Sequence, residues 1–328
     1  MNIIYLVIPC YNEEEVLLET SKRLKQVLKR LMKEKKISEK SKVLFVNDGS
    51  EDDTWHIIET LCWESDWFAG INLTRNCGHQ NALLAGLMTA KNYADAVISM
   101  DADLQDDVEA IEAFVDRFLD GYDIVYGVRS SRRTDTIFKR TTAGWFYRLM
   151  KFLGAEIVSN HADYRLMSKR ALERLAEFHE VNLFLRGIVP QIGYPSTVVT
   201  YERQERFAGK SKYSLRKMIS FAFEGITSFS IKPIRFICMM GGMSFLVSVF
   251  MLIYCIVQHF MGNTVSGWAS LGVSIWAIGG LQLLAIGVIG EYIGKIYLEA
   301  KHRPKYMIEE IQGLEEKREE KKPDTGVE

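Results

Sequence analysis

The residues best suited to chemistry in this chain are Asp101-Ala102-Asp103, two carboxylates one residue apart directly after the apolar run 96–100. A β-rich run that ends abruptly in Asp-x-Asp places two hard oxygen ligands at the carboxyl end of a strand, where open α/β sheets collect ligands. Mg²⁺ and Mn²⁺ favour such oxygens and usually keep a substrate phosphate in their shell, so the pair points to a nucleotide-diphosphate site. The same residues also suit a solvated turn, because Asp readily bonds its own backbone. Three further polar clusters follow apolar runs: Pro9-Cys10-Tyr11-Asn12-Glu13, Asn47-Asp48-Gly49-Ser50, and Arg75-Asn76 with Gly78-His79. Arg203, Arg206, Lys210 and Lys212, flanking Gly209 and Ser211, offer cations for a second phosphate, although anionic lipid headgroups would attract them equally. Arg129, Arg132 and Arg133 form another basic group, with solvated loop charge as the alternative. His79 and His161 read as structural or substrate-adjacent residues, since no i,i+4 metal-binding spacing accompanies them.

The elements that must position these residues alternate. Apolar runs at 3–8, 43–46, 68–73, 96–100 and 124–128 are separated by helical patterns at 13–36, 53–64, 80–92 and 108–119. This βαβα order predicts an α/β fold, a mostly parallel sheet flanked by helices on both faces. Continuously apolar strands fit burial on both sides. All four polar clusters then fall on one edge of the sheet. Neither Gly-x-Gly-x-x-Gly nor Gly-x-x-x-x-Gly-Lys-Ser/Thr occurs, so phosphate is left to metal and basic side chains.

The 328 residues carry 41 Lys+Arg against 42 Asp+Glu, which gives no bulk charge for nucleic acid. Five scattered cysteines without CxxC spacing argue against a disulfide framework or a structural zinc. The amino-terminal run has neither a basic flank nor a cleavage site and reads as a strand, not a signal peptide. Runs 236–260 and 268–289 contain no Asp, Glu, Lys or Arg, and each exceeds the roughly 20 residues needed to cross a bilayer. A short loop at 261–267 makes them a two-helix transmembrane hairpin. Lys232 and Arg235 before it, and Lys295, Lys301, Arg303 and Lys305 after it, put both termini in the cytoplasm. The expected division is a cytosolic catalytic domain at 1–213, an interfacial amphipathic helix at 214–231, the hairpin at 232–295 and a charged tail at 296–328, solvated beyond about residue 309. Gly241-Gly242 and Gly279-Gly280 would permit close helix packing in a homo-oligomer.

The strand-end motifs, with Val46-Asn47-Asp48-Gly49-Ser50 and Asp101-Ala102-Asp103-Leu104-Gln105 at their centre, resemble the inverting family 2 glycosyltransferases of Rossmann-like GT-A fold. Adding Arg206-Phe207-Ala208-Gly209-Lys210-Ser211-Lys212-Tyr213 and the two-span end, the chain is similar to the polyprenyl-phosphate glycosyltransferases, which include dolichyl-phosphate mannose synthase. The resemblance implies that Pro9, Tyr11, Asn12, Glu13 and Asp48 border the nucleoside, Asp48 accepting a hydrogen bond from the base. It implies that Asp101 lies by the ribose and metal, that Asp103 is the principal ligand of Mg²⁺ or Mn²⁺, and that Gln105 sits alongside. Arg129, Arg203, Arg206, Lys210 and Ser211 would meet the acceptor phosphate. Asp163, in Asn160-His161-Ala162-Asp163-Tyr164-Arg165-Leu166, would be a base or an orienting group, though it is equally placed to pair with Arg165 or Arg129. A phosphate acceptor with a second pKa of about 6 is already mostly ionised at neutral pH, so no strong base is demanded.

The Gln-x-x-Arg-Trp motif of processive members is absent, which favours a single transfer. The implied reaction moves one sugar, UDP-glucose being the expected donor, to undecaprenyl or another polyprenyl phosphate at the cytoplasmic membrane face, for cell-envelope glycan modification. The competing readings are transfer to another lipid or glycan, and a non-catalytic membrane-tethered partner that retains the domain.

Overall fold

The computed structural model describes residues 1–130, 161–180, 185–202 and 268–314, together with scattered positions between 234 and 261. The chain opens with β1 (Ile4–Cys10), buried along its whole length, and α1 (Glu14–Lys33). Helix α1 has acidic residues in its first turn and basic residues in its last, as the helix dipole favours. Its buried stripe of Val16, Leu17, Leu24, Val27, Leu28 and Leu31 follows the helical period. Next come β2 (Lys42–Asn47), α2 (Thr54–Glu64), β3 (Phe68–Leu73), α3 (His79–Ala90), β4 (Ala96–Ser99), α4 (Ala110–Leu119) and β5 (Ile124–Arg129). These nine elements lie where the alternation of apolar runs and helical patterns places them.

The eight-stranded sheet has the order β7-β5-β6-β4-β1-β2-β3-β8. Strands β1 to β5 and β7 (Ser196–Tyr201) run one way, while β6 (His161–Ser168) and β8 (Ile308–Gln312) run the other. Alternate residues of β1 serve opposite layers. Ile4, Leu6 and Ile8 pack with Leu17, Leu24 and Phe114 of α1 and α4, while Tyr5 and Val7 pack with Leu83 and Leu87 of α3. Helices thus cover both faces, and the strands are apolar throughout for that reason.

Three features depart from the expected pattern. Strand β6 inserts antiparallel between β4 and β5, so its first residues arrive at the carboxyl edge of β4. Short helices α5 (Lys169–Leu175) and α6 (Leu185–Ile188) follow, with a 3₁₀ turn at Val189–Ile192. The third departure corrects the expectation of a solvated tail, because residues 308–312 are β8, paired antiparallel to β3 with Ile311 opposite Ile71. Lys42 Nζ donates to the Gly313 carbonyl at 2.7 Å, and Asn72 Nδ2 donates to Glu309 Oε2 at 3.1 Å. The tail therefore covers the open edge of β3, where unpaired backbone groups would otherwise invite association.

Helix α7 (Trp268–Ala300) precedes β8, and its portion Ile278–Ala300 is long and apolar enough to cross a membrane. It runs past the expected end of the second span at residue 289. The expected first span, 236–260, lies largely outside the described residues, as do the 214–231 segment, Arg203, Arg206, Lys210 and Ser211.

Candidate active site

Three loops at the carboxyl edge are knitted together before any ligand is considered. Asn12, in the left-handed region at φ 52°, takes a hydrogen bond on Oδ1 from the Glu51 amide at 2.9 Å, and its own amide donates to Ser50 Oγ at 3.0 Å. The Glu13 amide donates to Thr54 Oγ1. Gly49 has φ +63°, and a Cβ there would lie 2.5 Å from the Asn76 amide nitrogen, so only glycine lets the second and third loops approach this closely. Asp48 is buried and accepts the amides of Cys77 at 2.7 Å and Gly78 at 3.0 Å. Burial pushes its carboxyl up against the opposing pull of those two amides. The visible work of Asp48 is thus to hold the loop that starts α3 at His79.

Beyond β4 the chain alternates inward and outward. Ala102 and Leu104 are buried, whereas Asp101, Asp103 and Gln105 are half-buried. Thr20 Oγ1 of α1 donates to the Ala102 carbonyl at 2.8 Å, and Leu104 sits at φ 55°. A buried, bulky residue at positive φ is strained, and such strain concentrates at functional loops. Asp103 Oδ1 accepts the Gln105 amide at 3.1 Å, which is the turn bond that Asp often makes. Asp103 thus makes the turn that the sequence allows, and its side chain is half-buried at the sheet edge.

Strand β6 brings the remaining groups. Ser99 lies opposite Arg165, so Asp163, near the start of β6, falls beside Asp101, and Ser99 Oγ donates to the Asp163 carbonyl at 2.6 Å. Fully buried Arg165 donates from Nη2 to Asp163 Oδ1 at 2.7 Å. Arg186 of α6 spans the same carboxylate, with Nε 3.2 Å from Oδ1 and Nη2 3.0 Å from Oδ2. His79 Nε2 lies 3.6 Å from Asp163 Oδ2 and 3.6 Å from Asp101 Oδ1.

Burial alone would raise the Asp163 carboxyl, but His79, Arg186 and Arg165 hold it well below the usual carboxylate range. A carboxylate so strongly stabilised is a poor proton acceptor. Of the two roles open to Asp163, orientation fits this geometry, and the anticipated pairing with Arg165 is present. His79 is pushed up to about 8, its burial opposing and Asp163 and Asp101 favouring the cation. Asp101 is pushed up to about 6, chiefly by burial and then by Asp106, Asp163 and Asp103, with His79 opposing; its side chain is 37% exposed, so water moderates this rise.

Arg129 is not a solvated loop charge. Its Nη2 and Nε lie 2.9 Å and 3.2 Å from Asp106 Oδ1, which also accepts the Tyr201 hydroxyl at 2.6 Å. The ends of β5 and β7 are thereby tied to the loop that carries Asp101 and Asp103.

The structure gathers Asp101, Asp103, Gln105, Asp163, Asp48, Asn12 and Glu13 at one sheet edge, with Tyr11 exposed beside them and Pro9 buried within β1. Sequence reasoning missed Arg186, Asp106, Tyr201 and Thr20. An isolated Arg on a four-residue helix has no periodic signal, while the Gly78-His79 strand end was a visible sign for His79.

Among the described residues no three His, Cys, Asp or Glu form a closed metal cluster. Asp101 and Asp103 supply two hard oxygens, and the Asp101 anion is disfavoured chiefly by burial and then by Asp106, Asp163 and Asp103. That donor set fits a divalent ion whose shell is completed by phosphate and water oxygens.

Comparison with known proteins gives the family. The chain is 56% identical over 94% of its length, and 91% of the relative's, to the uncharacterized glycosyltransferase YkoT of Bacillus subtilis. It is 43% identical to the bactoprenol glucosyl transferase of Shigella phage SfV, over 93% of this chain and 97% of that one. A prophage bactoprenol glucosyl transferase homolog of Escherichia coli is 40% identical, over 94% and 99%. The solved mannosyl-3-phosphoglycerate synthase of Rubrobacter xylanophilus aligns at TM-score 0.47 and 14% identity, over 68% of this chain and 71% of that one. With residues 5–176 matching the description "Glycosyl transferase family 2", the chain belongs to that family and is a glycosyltransferase.

Proposed function

We propose that this glycosyltransferase moves a single glucose from UDP-glucose, with inversion, to undecaprenyl or a related polyprenyl phosphate, with Mg²⁺ or Mn²⁺, at the cytoplasmic face of a membrane. The observation that carries the reading is a pair of half-buried carboxylates, Asp101 and Asp103, beyond the carboxyl end of β4, in a sheet whose edge strand β8 is separated only by residues 301–307 from a helix apolar enough to cross a bilayer. The bactoprenol glucosyl transferase relatives, aligned over nearly the whole chain, support the acceptor and the sugar. Residues 236–260 are proposed as the first span of a hairpin, with 214–231 on the cytoplasmic leaflet and both termini cytoplasmic.

In this mechanism Asp101 and Asp103, with Gln105 alongside, hold a divalent cation that supplies positive charge to the departing diphosphate. Asn12, Glu13 and Asp48 shape the nucleoside side, Asp48 acting at least through the loop it pins. Arg186 and His79 put positive charge on the wall where two phosphate-bearing substrates would meet. Asp163 orients both of them. The acceptor phosphate arrives ionised and attacks without surrendering a proton, while Arg203, Arg206, Lys210 and Ser211 are proposed to hold it.

The test is incubation of the purified full chain with undecaprenyl phosphate and a panel of nucleotide sugars, with Mg²⁺, Mn²⁺ or EDTA. Metal-dependent formation of an organic-extractable glucosyl lipid from UDP-glucose is expected. No lipid-linked product from any donor overturns the proposal.

A further inference from the structure

His79 stands between two carboxylates with very different surroundings. Asp163 already has both oxygens engaged by Arg165 and Arg186. Asp101 Oδ1 lies 3.6 Å from the same His79 nitrogen that lies 3.6 Å from Asp163. The backbone that presents His79 is fixed on two sides. Asp48 holds the Cys77 and Gly78 amides immediately before it, and Gln80 Oε1 immediately after it accepts the Leu185 amide at 3.1 Å, tying the start of α3 to the helix that carries Arg186. Gly78, at φ +88°, makes the turn into α3 that sets the direction of the ring. Arg165 fixes Asp163, and His79 Nε2 lies 3.6 Å from one oxygen of Asp163 and 3.6 Å from one oxygen of Asp101, so a single ring nitrogen bridges the anchored carboxylate and the half-buried one.

We infer that His79 is a positioning residue that sets the aim of Asp101 toward the donor's metal–diphosphate, with Asp163 as its anchor. The inference rests on the reading of Asp101 and Asp103 as the cation-binding pair. Carboxylates that bind a metal are held by outer hydrogen bonds, and losing such a partner typically lowers metal affinity or activity about 10–100-fold. His79 Nε2, 3.6 Å from Asp101 Oδ1, stands within ion-pair reach of that carboxylate, and it can be imitated by the terminal amide of Gln, which has a similar reach and also donates.

The experiment is a titration of Mn²⁺ into the full-length protein in detergent with saturating UDP, followed by electron paramagnetic resonance of free Mn²⁺, for wild type, His79→Leu and His79→Gln. His79→Leu is expected to weaken Mn²⁺ binding about 10–100-fold with an unchanged melting temperature, and His79→Gln to recover most of the loss. The same ordering is expected in kcat, with the KM for nucleotide sugar moving less. Unchanged Mn²⁺ affinity in His79→Leu overturns the role of His79, as does an equal loss in both variants. If wild type binds no Mn²⁺ with UDP, the cation-pair reading fails instead, and the two failures are thereby separated.

Discussion

Arg129 separates two accounts of the basic group at the end of β5, and a cycle of substitutions decides between them. Asp106 is 1% exposed at its side chain, and its Oδ2 has no hydrogen-bond partner among the described residues. Its charge is balanced by Arg129 and the Tyr201 hydroxyl, both on Oδ1. Arg129→Met keeps the aliphatic stem but strands a buried carboxylate, a change that typically costs about 3–5 kcal/mol. Because Arg129 is itself 29% exposed and the Tyr201 bond survives, the lower end, about 3 kcal/mol, is the expected loss. For a domain of this size that corresponds to a melting temperature lower by roughly 6–12 °C. Adding Asp106→Asn removes the stranded charge, so Asp106→Asn/Arg129→Met should regain more than half of that drop, and the coupling is read directly from the cycle. Thermal unfolding of the full chain in detergent measures all four corners. If Arg129→Met leaves the melting temperature within about 2 °C of wild type and only raises the KM for lipid phosphate, Arg129 acts on the acceptor and the ion-pair account is refuted.

Three further outcomes follow from the same geometry. Asp103→Asn retains an oxygen for the Gln105 amide but removes a charge from the cation pair, so turnover should fall by about 10²–10³-fold or more while melting is unchanged; retained activity would remove Asp103 from the chemistry. Gly49→Ala forces a side chain into left-handed backbone, at about 1–2 kcal/mol, and against the 75–76 backbone besides; a lower melting temperature together with weaker UDP binding by calorimetry is expected. Asp123 is held below the usual carboxylate range chiefly by Arg170, with burial opposing and Ser168 assisting. A depressed folded value stabilises above the unfolded pKa of about 3.9 and is lost as pH falls through the folded one. Asp123→Asn should therefore flatten the acid limb of melting temperature against pH, and an unchanged slope would discard that assignment.

Strands β1 to β5 and helices α1 to α4 were legible because both faces of the sheet are covered, which writes each central strand as an uninterrupted apolar run and α1 and α4 as buried stripes. The same alternation marked where ligands collect, so Asp101, Asp103 and Asp48 were legible as residues at one edge. Strand β6 was not, since it carries His161, Asp163 and Arg165 and reads as polar. Arg165 is fully buried and pairs with Asp163 two residues away on the same strand, but the burial of both follows from the place of β6 between β4 and β5. Strand β8, Ile-Glu-Glu-Ile-Gln and mostly exposed, is held by backbone bonds to β3 that any sequence could make. Its charge therefore read as a tail.

The amino-acid sequence by itself determined the α/β order, the edge at which the chemistry lies and the carboxylate pair suited to a cation. Only the tertiary structure decided what surrounds that pair. His79 is 22 residues from Asp101 and 84 from Asp163 in the chain, yet 3.6 Å from both carboxylates. Arg129 turned inward to Asp106 for a similar reason. Local patterning reports which face of an element is buried, but which charges meet across the cleft depends on strand order and register, and these are settled by contacts distant in the chain.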